Sequence, residues 1–86
     1  MLVSSPVTLG DYYRENGESE HVARLEAALD GEWRPRLEIA ERAGVSKQFA
    51  EKALPYLLEE GRAERVKAIG REYRPRGWRW EWRRPS

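Results

Sequence analysis

The turn Gly44-Val45-Ser46 limits what this chain can fold into more than any other stretch. On its N-terminal side, Leu37-Glu38-Ile39-Ala40-Glu41-Arg42-Ala43 has helical spacing, with Leu37, Ile39, Ala40 and Ala43 available for a buried side. Gly44 can close that helix in a left-handed conformation at little cost, Val45 can enter a core, and Ser46 can accept a free amide of a second helix. In that second helix Phe49, Ala50, Ala53, Leu54, Leu57 and Leu58 recur at helical intervals until Glu59-Glu60-Gly61 ends the run. Two helices joined by so short a turn must cross steeply.

If Ser46 is the cap, Ala50, Leu54 and Leu57 form an inward seam, and Lys47, Gln48, Glu51 and Lys52 are left for the outward face. Lysine and glutamine can donate to base edges or phosphates, and Glu51 can accept from cytosine or restrain a neighbouring cation. The same side chains also keep any exposed helix face soluble. Pro55 cannot donate to the carbonyl of Glu51, so the helix is expected to bend near its middle, or to stop and restart there.

Ahead of this pair, Pro6-Val7-Thr8 suits entry to a short helix from Leu9 to Glu15, with Thr8 as cap and Leu9, Tyr12 and Tyr13 as an apolar patch. Such a patch either packs on the domain as a small lid or meets a second subunit. Ser19 offers a cap for a longer helix reaching Leu29 or Asp30, with Val22, Leu25, Ala28 and Leu29 on one face and Glu18 and Glu20 near its positive end. Gly31 is expected to stop it. Glu32-Trp33-Arg34 then reads as a short extended rung before Pro35, with Trp33 either anchoring the hairpin onto the helices or standing exposed as a ligand contact.

After Gly61, Arg62 to Ile69 reads as a strand, and two registers follow from it. In one, Glu72-Tyr73-Arg74 returns antiparallel after a Gly70-Arg71 turn. In the other, Gly70 to Gly77 is a loop and Trp78 to Arg83 is the returning strand. Alternation in Trp78-Arg79-Trp80-Glu81-Trp82-Arg83 places three indoles on one face. They either cover the open side of the sheet, form a homodimer seam or stack on exposed bases.

Eighty-six residues suffice for one small domain. The division expected is an N-terminal extension over residues 1–17, a core over residues 18–76, and a Trp/Arg-rich strand and tail over residues 77–86. With no cysteine and a single histidine, His21, no metal-ligand set is expected. Nor is a catalytic residue assigned, because paired carboxylates, a Ser-His-acid set and a phosphate-binding glycine motif are all missing from the sequence. No cofactor and no enzymatic activity are expected. The first residues lack the basic start and apolar run of a signal peptide, and no stretch is long enough to span a bilayer, so no membrane partner and a cytoplasmic location are expected.

Net charge is only +1, but it is unevenly spread. Residues 1–45 carry nine acidic and five basic side chains, for −4, and residues 46–86 carry six acidic and eleven basic, for +5. The positive half contains the second helix of the pair and the hairpin.

The order of these segments resembles the winged helix-turn-helix family of small bacterial transcription regulators. The resemblance lies in Gly31-Glu32-Trp33, in Leu37 to Ala43, in Glu59-Glu60-Gly61 and in the basic segment from Arg62 to Arg76. It implies an α+β winged helix-turn-helix domain, here with a short N-terminal helix and an extra Trp-rich C-terminal strand. It further implies duplex DNA as partner, contacted by Ser46, Lys47, Gln48, Glu51 and Lys52 in a major groove and by Arg71, Arg74 and Arg76 of the wing on phosphates. A homodimer through Leu9, Tyr12, Tyr13, Trp78, Trp80 and Trp82 is compatible with it. Domains of this shape also serve as protein-binding modules, so a protein partner is the main alternative.

Overall fold

The computed structural model describes residues 9–86, so Thr8, the expected cap of the first helix, lies outside the described residues. In chain order the elements are α1 (Leu9–Asn16), α2 (Glu20–Ala28), β1 (Arg34–Pro35), α3 (Arg36–Ala43), α4 (Lys47–Glu59), β2 (Glu64–Ile69) and β3 (Trp78–Arg83). The described residues form a small α+β domain of four helices and one three-stranded antiparallel sheet, with strand order β1-β3-β2.

Helices α3 and α4 meet as their turn chemistry dictates. Gly44 sits at φ 72° and ψ 31°, where a Cβ would be strained, and its N–H closes onto the last turn of α3 while Val45 N–H donates to Ala40 O at 3.1 Å. Ser46 is extended, and its Oγ accepts the N–H of Phe49 at 3.0 Å. The inward seam of α4 is fully buried at Ala50, Ala53, Leu54 and Leu57, where it packs with Ile39, Ala40 and Ala43 of α3 and Val22 and Leu25 of α2. Leu37 departs from its expected burial: it is 54% exposed, on a side of α3 turned away from the direction shared by Ile39, Ala40 and Ala43. Pro55 does not divide α4, which runs as one helix through it.

Helix α2 ends at Ala28, short of the expected Leu29 or Asp30 and ahead of Gly31. Leu29 turns extended and drops into the core, and Asp30 is diverted to Arg34, whose Nη2 donates to Oδ2 at 2.7 Å. Ser19 occupies the N-cap position of α2 without making the expected cap bond. In α1, Tyr13 is buried and packs edge-on against Tyr56 at 5.0 Å, and Leu9 rests on the core, whereas Tyr12 is half exposed.

The register of the hairpin is the longer of the two expected. Glu72-Tyr73-Arg74 does not return as a strand; Gly70 to Gly77 is a loop closed by Gly70 N–H donating to Gly77 O at 3.0 Å. Trp78–Arg83 returns instead, pairing Ile69 with Trp78 and Arg65 with Trp82. The strand set apart as an addition to the sheet is its middle strand, bonded to β1 as well as to β2. Arg62 and Ala63 precede β2 rather than opening it. The rung expected at Glu32-Trp33-Arg34 shifts to Arg34–Pro35, because Glu32 N–H bonds the Asp30 carboxylate at 3.0 Å. Trp33 is accordingly 36% exposed, with the Arg83 guanidinium 4.3 Å from its ring centre.

One ion network joins the ends of this fold. Arg62, just before β2, donates to Glu18 at 2.7 and 2.8 Å and to Glu26 of α2 at 2.7 Å, while the Tyr56 hydroxyl of α4 donates to the same Glu18 carboxylate. The bonds from Arg62 and then Tyr56 hold the Glu18 carboxyl down from its ordinary 4.5 to about 2. Glu18 therefore adds stability that is complete above about pH 4.5 and is lost as pH falls toward 2.

Two measurements test this packing. Leu54→Ala should lower unfolding free energy by about 2–5 kcal/mol in urea titration, since it leaves a void at a fully buried seam position. Glu18→Gln should lower the urea midpoint at pH 7, and its difference from the unmodified protein should shrink to nothing as pH is lowered through the range from 4.5 to 2.

Candidate functional site

The cations of this chain fall into two groups. All five in residues 1–45 reach a carboxylate: Arg14 with Asp11, Arg24 with Glu20, Arg34 and Arg42 with Asp30, and Arg36 with Glu51. In the second half Arg62, Arg79 and Arg83 are paired, with Glu18, Glu81 and Glu64. Lys47, Lys52, Arg65, Lys67, Arg71, Arg74, Arg76 and Arg84 have no carboxylate within 4.0 Å among the described residues. These unpaired charges lie on α4, on β2, on the hairpin loop and beyond β3.

The first two turns of α4 present Lys47, Gln48, Glu51 and Lys52 as exposed side chains, opposite the buried seam. Ser46 is exposed but committed as an acceptor to the helix cap, which leaves its O–H to donate outward. Glu51 is not wholly free either, lying 4.0 Å from Arg36 of α3. Arg71, Arg74 and Arg76 are all exposed on the Gly70–Gly77 loop. His21, exposed on α2, sets its ring 5.7 Å from Phe49 at the start of α4.

The tryptophan face of the hairpin was legible as alternation, but its gradient was not. Trp82 is 4% exposed and packs in the core, while Trp80 is 37% exposed and Trp78 is intermediate. Arg65, Lys67 and Ile69 stand opposite these indoles on the same face. The Arg65 guanidinium lies 4.1 Å from the centre of Trp80, and Lys67 Nζ lies 4.6 Å from that of Trp78, so cations cover part of the indole surface. Ile69 at the end of β2 is 80% exposed. Of the expected interface residues, Leu9 and Tyr13 pack inward with the helices, and Tyr12 and Trp80 keep the most exposed rings.

A groove of about 400 Å³ separates this face from α4. Pro35 and Leu37 line one end, Glu51 and Pro55 of α4 one wall, and Trp78, Trp80 and Trp82 the other. Arg36, Arg65, Arg76 and Arg79 complete it. Two donors of these lining residues, Arg36 Nε and Trp82 Nε1, are buried without an acceptor among the described residues. An orphaned buried donor costs about 1–3 kcal/mol. Spacing gave no sign of the groove, because it joins residues from four separate segments.

Among the described residues no helix is long and apolar enough to cross a membrane, and no group of three or more His, Cys, Asp or Glu is placed to hold a metal ion. No protein-family model matches this chain, and no curated protein or solved structure matches it.

The exposed start of α4 depends on its cap. Ser46→Ala should cost about 1 kcal/mol in thermal or urea unfolding, and Ser46→Gly only a few tenths, because glycine leaves the first turn open to water. No measurable cost for Ser46→Ala would mean that the Phe49 N–H bond to Oγ contributes nothing.

Proposed function

We propose that this chain is a winged helix-turn-helix domain that binds double-stranded DNA as a regulator or accessory factor. The start of α4 enters a major groove, and the loop between β2 and β3 acts as a wing on neighbouring phosphates. The observation that supports this reading most is the separation of paired from unpaired cations. A cation already bonded to a carboxylate has little left to exchange with a phosphate, whereas Lys47, Lys52, Arg71, Arg74 and Arg76 have no carboxylate within 4.0 Å among the described residues, although Arg76 lies 5.6 Å from the centre of Trp78. Gln48, exposed between the two lysines of α4, is the side chain suited to adenine, and Lys47 to guanine or phosphate. Arg65 and Lys67 lie against indoles and are a smaller part of this surface.

A second reading has its own observation. Leu37 at 54% and Ile69 at 80% exposure, with Trp80 beside the groove, are apolar surface that phosphate contact does not use, and they favour a protein partner on the hairpin side. The two readings part at one measurement: affinity for mixed-sequence duplex DNA at two salt concentrations. DNA binding predicts a steep loss with salt, and Arg71→Ala or Arg74→Ala should reduce the slope of log K against log salt by roughly one. Gln48→Ala should remove about 1–3 kcal/mol of discrimination at one base position and leave nonspecific binding nearly intact. Undetectable binding at low salt by folded protein would overturn the DNA reading.

A further inference from the structure

Among the described residues, the outer edge of β2 is sheet backbone that no other strand pairs. β3 takes one side of β2. Gly70 N–H donates to Gly77 O in the same register, so antiparallel alternation gives the bonds with β3 to Glu64, Val66 and Ala68. The N–H and C=O groups of Arg65, Lys67 and Ile69 therefore point outward, and none of the three makes a backbone bond outside the sheet among the described residues. Arg65, Val66, Lys67 and Ile69 are all exposed.

Side chains along this edge define what an added strand must carry. Arg65 and Lys67 share one face, where the Arg65 guanidinium lies 4.1 Å from the centre of Trp80 and Lys67 Nζ 4.6 Å from that of Trp78, so the indoles hold both cations along the edge. Neither has a carboxylate within 4.0 Å among the described residues. Val66 and Ala68 on the other face, and Ile69 at the end of the strand, are apolar. A second copy is a poor occupant. A two-fold axis through the edge keeps both tryptophan faces on one side, and the longest registers it allows, centred on Val66 and on Lys67, set Arg65 against Lys67 or Lys67 against its own counterpart. The same cations thus guard the edge against self-pairing and favour a strand of opposite charge.

We infer that the outer edge of β2 binds an extended acidic segment of a partner protein as an antiparallel strand added to the sheet, with carboxylates opposite Arg65 and Lys67 and apolar side chains opposite Val66, Ala68 and Ile69. Backbone bonds to the outward groups supply affinity, and the alternating side chains supply selection. Arg65 and Lys67 remain exposed while they rest on their indoles, so carboxylates have access to them. None of the α4 or loop residues assigned to DNA takes part. The site therefore does not rest on the duplex reading, and it supplies the protein-partner reading with a place and a partner chemistry.

The probe is the blocked peptide acetyl-Thr-Val-Val-Glu-Val-Glu-Thr-amide, added to the full ¹⁵N-labelled chain. Without peptide, the amides of Arg65, Lys67 and Ile69 should exchange with deuterium faster than those of Val66 and Ala68. Peptide should slow the first three saturably, with half-saturation at about 1 mM or below, and leave the other two nearly unchanged. In this register the two glutamates stand opposite Lys67 and Arg65 and turn their own N–H groups toward β2, whereas the valine between them turns its N–H to solvent. N-methylation of the glutamate opposite Lys67 should weaken binding about fivefold or more, and N-methylation of that valine should be tolerated. Lysine in place of both glutamates should weaken it about tenfold or more. Arg65→Gln combined with Lys67→Gln should weaken the glutamate peptide about threefold or more, with Lys67→Gln alone as the second variant should the pair fail to fold.

Four results would each overturn the inference. They are exchange unchanged at about 10 mM peptide, equal binding of the lysine peptide, equal effects of the two N-methylations, and protection of Arg65, Lys67 and Ile69 that grows with protein concentration in the absence of peptide, which would assign the edge to a second copy. No nucleic acid is present, so failure here leaves the duplex reading standing, and failure of the duplex titration leaves this one standing.

Discussion

The burial of one indole holds the two halves of this fold together. Trp82 is in the middle strand, bonded on one side to β1 and on the other to β2, and its ring enters the helical core at 4% exposure. A tryptophan removes roughly 200 Å² of surface from water, worth on the order of 5 kcal/mol at the usual transfer coefficient. Two of the sheet's three strands thus depend on a third that is itself fixed by a side chain outside the sheet. β1 has only two residues and could not hold a strand by its own ladder. Without β3 in the centre, β2 would be an isolated strand with no partner in the sheet.

Charge is arranged around that core by a related economy. The N-terminal half commits its carboxylates to structure: Glu18 and Glu26 to Arg62, and Asp30 and Glu38 to Arg34. The Arg34 and Glu32 bonds hold Asp30 down to about 2, so it stays ionised at any ordinary pH, as Glu18 does. Acidic groups so engaged cannot neutralise cations elsewhere, and the hairpin is left with arginines that have no partner to match. The near-zero net charge therefore hides two halves of the sequence with opposite formal charge.

What the sequence revealed and what it hid divide along the range of the interactions. The α3–α4 turn was legible because its causes are local: Gly44 for the positive φ, Ser46 three residues before the amide it caps, and a seam repeating every three or four residues. The exposed set at Lys47, Gln48 and Lys52 followed from that seam. Leu37 was misplaced because an apolar residue was counted into the buried side although, at about 100° per residue, it points well away from the direction shared by Ile39, Ala40 and Ala43. The strand at Glu32-Trp33-Arg34 was shifted because Asp30 takes the Glu32 amide, a bond no pattern of apolar residues announces. Glu18 was read as a helix-dipole residue; its partners, Tyr56 and Arg62, lie 38 and 44 positions away. The groove was hidden for the same reason, whereas the three indoles were visible as an alternation and only their unequal burial needed the fold.

Pro55 shows how a local defect can be absorbed without being erased. A proline within a helix costs about 3 kcal/mol and leaves the carbonyl four residues earlier without its donor. α4 nevertheless runs unbroken, because Ala50 and Ala53 on one side of the defect and Leu54 and Leu57 on the other are fully buried against α2 and α3. Burial of two leucines alone outweighs the penalty, at roughly 1.5–3 kcal/mol each. Glu51 and Pro55 are four residues apart and so share one face of the helix, and it is the face that walls the groove. The break in the hydrogen-bond ladder thus falls on the exposed side of α4, where the proline ring lines the groove together with the indoles. Any residue with a backbone N–H would restore the missing bond to the Glu51 carbonyl, so α4 keeps its proline through tertiary packing and not through its own helical preference.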